Sequence, residues 1–399
     1  MYRLLNALRT ATVLLAAIGA LGGCGNGTTA GNGTLSLALT DNPACGYDHV
    51  YVTIEKVRVH QNASADDNAP GWHEIVVSPA RRIDLLTLTN GKLEELGETS
   101  LPAGVYNQLQ LVLAENTTAP FANAVVPTGG TELPLVTPSG TETGLKASVN
   151  ILVQVNQVAR YAIDFDACQS VVKAGSSAQY LLQPVIAVLP LLGESGQRIV
   201  GYIDPTTLGA TTRVSAQSGG VVYKATVPDA AGRFELFPVA PSETGYAVVI
   251  TSTGRTTAVI RDVPVSTTTT TLGSSASPIA LVASPTRVAT GRVTLENDPF
   301  NTGAHVRVLQ SLAGGPVIEV ASMPVDADTG TFGFTLPLAP PLVTSYTLGV
   351  MPSSFAPDSE DPLLTSAGRY TLDVRILGLP TQTADISLLS GSAVRDFFF

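Results

Sequence analysis

Four carboxylates and three cysteines are the side chains of this sequence best suited to chemistry at a fixed site. Asp41 and Asp48 flank Cys45, and Asp164 and Asp166 shortly precede Cys168. If Cys45 and Cys168 are bonded, their Cα atoms stand about 4.4–6.8 Å apart, which draws the four aspartates toward one another. Hard oxygen ligands that converge in this way can hold Ca2+. A plainer reading has Asp41 closing a turn at Asp41-Asn42-Pro43, with Asp164 and Asp166 alternating with Ile163 and Phe165 on the solvent face of a strand. No other cofactor is suggested. The four histidines are His49, His60, His73 and His305. His73-Glu74 opens an H-E-x-x-H pattern, but Val77 stands where the second histidine would be. The chain has no G-x-S-x-G elbow and no Cys-x-x-Cys pair, so each histidine reads as a solvated strand residue. Gly25-x-Gly27-x-x-Ala30 has the spacing of a dinucleotide fingerprint but follows no strand and opens no helix. No catalytic residues are expected, and the chain reads as a non-enzyme.

The third cysteine, Cys24, belongs to a different chemistry. Arg3 and Arg9 precede an apolar run from Ala11 to Leu21, about ten residues long where a membrane span needs about 20, which is the layout of a signal peptide. The run ends in Leu21-Gly22-Gly23-Cys24, which resembles the lipobox of bacterial lipoproteins. That resemblance implies cleavage after residue 23, acylation of Cys24, and attachment to the lipid bilayer; the alternative is an ordinary secretory signal with a chance cysteine. Gly25 in place of Asp implies sorting to the outer membrane, on its periplasmic or its surface face. Outside the cytoplasm Cys45 and Cys168 are free to pair; the alternative is two buried thiols.

These groups must be positioned by β-structure. Gly and Pro number 37 and 27 in 399 residues, Thr and Val are abundant, and no long stretch carries the 3.6-residue period. Leu35, Leu37 and Leu39 alternate with Ser36, Ala38 and Thr40, the pattern of a half-buried strand. In Val50 to His60 the apolar parity switches between Ile54 and Val57, which calls for a β-bulge near Glu55 and Lys56. Further strands are expected at 72–77, 83–88, 107–113, 144–155, 161–165 and 180–189, with a short helical turn at Leu93 to Leu96. The formal net charge is −10, and cleavage of the leader would remove Arg3 and Arg9 and deepen it. Such a chain lacks the clustered Lys and Arg that nucleic acid requires.

Leu37-Ala38-Leu39-Thr40-Asp41-Asn42-Pro43, Val50-Tyr51-Val52-Thr53-Ile54, Trp72, Ile83-Asp84-Leu85-Leu86, Leu101 to Tyr106, Asp164-Phe165-Asp166 and Leu182 to Ile186 resemble domain of unknown function 4382. The resemblance implies a β-rich extracytoplasmic module and assigns no activity. Beyond it the chain repeats itself. Val200-Gly201-Tyr202-Ile203 matches Thr290-Gly291-Arg292-Val293, Asp229 with Gly232-Arg233-Phe234 matches Asp326 with Gly330-Thr331-Phe332, Pro238 to Pro241 matches Pro337 to Pro340, and Tyr246 matches Tyr346. Each copy resembles the carboxypeptidase regulatory-like, or prealbumin-like, β-sandwich; the second departs from the pattern by an insertion at Met351 to Ser366. The expected fold class is all-β: an N-terminal β-sandwich-like domain followed by two Ig/prealbumin-like sandwiches in tandem. The expected divisions are a signal peptide at 1–23, a tether at 24–33, domains at 34–190, 197–283 and 287–390, and a C-terminal tail at 391–399. Together these readings describe a lipid-anchored scaffold for binding or adhesion in the cell envelope. Its expected partners are the bilayer, through Cys24, and an envelope protein or glycan. An envelope hydrolase or its accessory subunit, and a structural spacer, are the alternatives.

Overall fold

The structure is a computed structural model that describes residues 31–42, 46–137, 144–175, 179–193, 196–296, 303–350, 354–361 and 363–399. It is almost entirely β. The first apolar core lies between two sheets. One has four strands, in the order Ile186–Pro190, Val158–Asp166, Asn32–Asn42 and Glu94–Pro102. The other has eight, with Tyr47–His60 paired to three neighbours, His73–Asp84, Gly104–Leu113 and Ala124–Pro127. Leu35, Leu37 and Leu39 are fully buried on one face of their strand, as the alternation requires. The bulge in Tyr47–His60 lies between Ile54 and Lys56, and it turns both Val52 and Val57 into the core.

The second module sets a three-stranded sheet, Arg233–Leu236, Ile199–Tyr202 and Thr270–Leu272, against a six-stranded one. The third pairs Thr286–Thr294 with Thr331–Pro337 in one sheet and Ala304–Ser311 with Val317–Pro324 and Arg369–Ile376 in the other. The repeat has a packing cause. Gly201 faces Phe234 across the ladder, and Gly291 faces Phe332. In the third module a Cβ on Gly291 would stand 2.7 Å from the ring of Phe332, and in the second one on Gly201 would strike the Phe234 ring. Both rings therefore fold over a strand that has no side chain at that point, and both are buried.

Three sequence expectations are corrected. Leu93 to Leu96 forms no helical turn: Glu94–Pro102 is a strand paired antiparallel to Asn32–Asn42, since sheet pairing overrides a weak local preference. The strand expected at 83–88 stops at Asp84, whose carboxylate accepts from the N–H of Leu86 at 3.3 Å and starts the 3-10 turn Leu85–Thr87. Tyr346 is not the counterpart of Tyr246. The hydroxyl of Tyr246 donates to the carbonyl of Ala240 at 2.9 Å, in the turn Pro238 to Pro241, and in the third module it is Tyr370 that reaches the matching turn, donating to the carbonyl of Pro337 at 2.5 Å. The chain between is diverted: Leu342–Ser345 runs parallel to Ala258–Val265 and, with Ala356–Pro357, extends the sheet of the second module. Tyr346 and Phe355 accordingly pack on the core of the second module.

The last residues also complete a sheet. Phe397–Phe398 pairs parallel to Val293 and Thr294, Phe397 is buried, and Phe399 exchanges backbone bonds with Thr294 and Glu296 at 3.0 Å each. No helix among the described residues is long and apolar enough to cross a membrane.

Candidate functional site

Three of the four expected aspartates, Asp41, Asp164 and Asp166, sit where the first module meets the other two. Asn32–Asn42 and Val158–Asp166 run parallel, with Thr40 opposite Asp164 and Asp41 opposite Phe165. Successive side chains of a strand point to opposite faces, so Asp41 shares a face with Leu39 and Phe165, and Asp164 and Asp166 occupy the other. Asp41 thus continues the buried leucine stripe. One carboxylate oxygen accepts from the N–H of Ala167 at 2.9 Å, and the other, Oδ2, is buried with no hydrogen-bond partner. Burial pushes this carboxyl well above the usual carboxylate range, against the opposing pull of the Ala167 N–H.

The opposite face is not solvent, which corrects the reading of Asp164 and Asp166 as exposed strand residues. Asp164 is 4% and Asp166 5% exposed, and over Asp164 the second module delivers Lys224, itself 2% exposed. Lys224 stands in the strand Val221–Thr226, and its ammonium donates to Asp164 Oδ1 at 2.8 Å, to the carbonyl of Asp41 at 3.2 Å and to Thr40 Oγ1 at 3.5 Å. Three donors meet three acceptors. Burial still raises the Asp164 carboxyl above its ordinary value, with the lysine charge offsetting part of the effect. Asp166 caps the short helix Ala167–Ser170, accepting from the backbone N–H of Gln169 at 2.9 Å and from its side-chain amide at 2.8 Å. From the third module His305 approaches Asp166; burial lowers the imidazole below its usual value while Asp166 pulls the other way.

Asp48 does not join them. It is exposed and accepts from the N–H of Gly129 at 3.0 Å. The four carboxylates therefore do not form one cage, and Asp164 is paired with the ammonium of Lys224. Among the described residues no group of three or more His, Cys, Asp or Glu is arranged to hold a metal ion. Cys168, in the same short helix, is disulfide-bonded and 3% exposed. Cys45, its expected partner, and Cys24, the expected lipid site, lie outside the described residues. The histidines are more engaged than solvated strand residues would be. His49 meets Asp84 at 2.6 Å and stacks on Tyr51, His60 lies against Trp72, and His73 meets the ring of Tyr106 edge-on.

Further contacts join the modules. Asn90, in the turn Asn90-Gly91, exchanges bonds with Thr226, Arg233 and Glu235 of the second module. The side-chain amide of Gln217 donates to the carbonyl of Glu319 at 2.8 Å and accepts from its N–H at 2.7 Å, as a strand neighbour would. Arg307 of the third module donates to the carbonyl of Gly220, and the N–H of Ala327 to the carbonyl of Lys173 at 2.8 Å. Sequence reasoning missed Lys224, Asn90 and Gln217. Asn90-Gly91 signals a turn, but nothing local to Lys224 or Gln217 announces a partner in another module.

Residues 32–184 match the family described as domain of unknown function (DUF4382). No curated protein matches the chain. An N-terminal interface mutant of the type II cohesin–X-dockerin complex from Acetivibrio cellulolyticus is 30% identical over 22% of this chain and 59% of that one, with a TM-score of 0.19. The chain thus spans about 59% of that structure's length. The Bacillus anthracis TIE protein is 10% identical over 92% of this chain and 50% of that one, with a TM-score of 0.18. BcpA, the major pilin subunit of Bacillus cereus, is 11% identical over 92% and 99%, with a TM-score of 0.15. Superpositions at these scores carry no argument about this chain.

Proposed function

We propose that this protein is a non-enzymatic scaffold of the cell envelope, held to the outer membrane by acyl chains on Cys24 and stapled in its first module by a Cys45–Cys168 disulfide. The observation that carries the reading is the use made of its most reactive groups. Asp164 and Lys224 are spent on one another, Asp166 on capping a short helix, and one oxygen of Asp41 on the N–H of Ala167, so these residues serve chiefly as fasteners. The Leu21-Gly22-Gly23-Cys24 sequence supports the anchor, and the disulfide-bonded Cys168 supports a place outside the cytoplasm. No metal is assigned to the four aspartates. The spacer alternative draws support from the strand Leu342–Ser345, which ties the second module to the third.

Expression in a Gram-negative host with an alkyne-tagged fatty acid, followed by mass spectrometry of the amino-terminal peptide, tests the anchor. The expected result is label on Cys24, recovery with outer membranes, and release by Cys24→Ala. An unlabelled thiol on protein found free in the soluble fraction would overturn it. A hydrolase panel tests the scaffold: turnover that disappears in Asp164→Ala while the fold survives would make the protein an enzyme.

A further inference from the structure

We infer that the cleft between the second and third modules binds an oxyanion, with the guanidinium of Arg213 as its principal donor. Arg213 opens the strand Arg213–Ser218 and lines a cleft of about 170 Å³. One wall comes from the second module, with Ser252, Arg255 and Thr257, and the other from the third, with Ser322 and Thr335. The volume is about tenfold the 10–15 Å³ that a single water occupies.

Two nitrogens of Arg213, Nε and Nη2, are buried and have no hydrogen-bond partner among the described residues. A guanidinium does not shed its proton, so this charge is present at every physiological pH and needs either water or an anion. Several other arginines near the module seams find carboxylates: Arg198 and Arg233 meet Glu235, and Arg307 meets Glu319 and Asp373. The described lining of this cleft contains two arginines and no carboxylate, in a chain whose formal net charge is −10. Across from Arg213, Ser322 is 8% exposed and its hydroxyl is also buried without a partner. Arg213 and Ser322, from different modules, thus line one cleft together, and each carries a polar atom that no protein group satisfies. The planar Arg fork matches two oxygens of a carboxylate, phosphate or sulfate group, and serine and threonine hydroxyls supply the remaining donors. The ligand class is therefore a small polar solute bearing one such group.

The test is isothermal titration calorimetry of the whole soluble chain with inorganic phosphate, sulfate and acetate, each at constant ionic strength against chloride. Saturable binding of at least one is expected, with affinity reduced at least tenfold in Arg213→Gln and severalfold in Ser322→Ala. Preference for phosphate and sulfate would identify a tetrahedral group, and preference for acetate a planar one. The wild-type melting temperature should rise with the bound anion and not with chloride. That measurement decides the matter if Arg213→Gln does not fold. Absence of saturable binding and of any anion-specific melting shift would overturn the inference, and so would binding left unchanged in both variants.

Discussion

Lys224 carries an ammonium into a place where water does not reach, and its worth lies in the company it finds there. A buried pair is weak support for stability as a whole, yet breaking one by removing a single partner costs about 3–5 kcal/mol. Lys224→Met should therefore destabilise the chain by about that amount in urea unfolding, because Asp164 is left buried and uncompensated, and adding Asp164→Leu should recover most of the loss. The pH dependence follows from the neighbouring groups. Burial raises Asp41 and Asp164 in the folded state, so the folded form binds protons more readily than the unfolded one. Their contribution is fully present below the unfolded carboxylate value near pH 4 and is lost as pH rises through the raised folded values. Asp41→Asn, which cannot ionise, should raise the melting temperature at neutral pH, and the gain should fade toward pH 4. His305 works in the opposite sense. Its folded value is lowered, so its contribution is present above about pH 6.5 and lost as pH falls through that value toward the folded one. His305→Gln should flatten the melting profile between about pH 7 and pH 5, measured by differential scanning calorimetry.

At the scale of elements, the matched glycine and phenylalanine positions make a sharp test. A methyl on Gly201 would strike the Phe234 ring and stand 2.5 Å from the carbonyl of Leu272, so Gly201→Ala must push the ring out of the core. An overpacked core loses about 1–3 kcal/mol, and the same change at Gly333, whose added Cβ would have only an ordinary contact at 3.4 Å with Thr290, should be mild by comparison. Chemical denaturation of the two variants measures the difference. These positions also show what the chain's own order discloses. Alternation of Leu35, Leu37 and Leu39, the parity change after Ile54, and the paired Gly and Phe of the repeats were legible because strand period and close packing are local matters. The face assignment of Asp41 against Asp164 was legible in principle, since it needs only the parallel register of two strands. The covering of Asp164 by another module was not, because its cause lies 60 residues on, in Lys224. The repeat alignment failed at Tyr346 for a related reason: a tyrosine at the expected distance was at hand, and nothing local reveals that its strand pairs with a neighbouring module.

For the whole molecule, the three apolar cores are joined by more than linkers. Val172 and Ala174 of the first module cluster with Ala327 of the third, and Ala247, Val249 and Val259 of the second belong to the core of the third. Unfolding of the wild-type chain should therefore be a single cooperative transition, and Lys224→Met combined with Gln217→Ala should split it into separate steps, visible by calorimetry with an increase in radius of gyration by small-angle scattering. The parallel pairing of Leu342–Ser345 with Ala258–Val265 bears on how such a chain is made. Threaded out of the ribosome from its amino end, the second sandwich has an open flank until the tract around residue 345 has emerged. During that interval a row of unsatisfied amides and carbonyls on Ala258–Val265 is available to any passing strand, so the nascent polypeptide needs sheltering by a chaperone longest where the finished molecule shows no weakness.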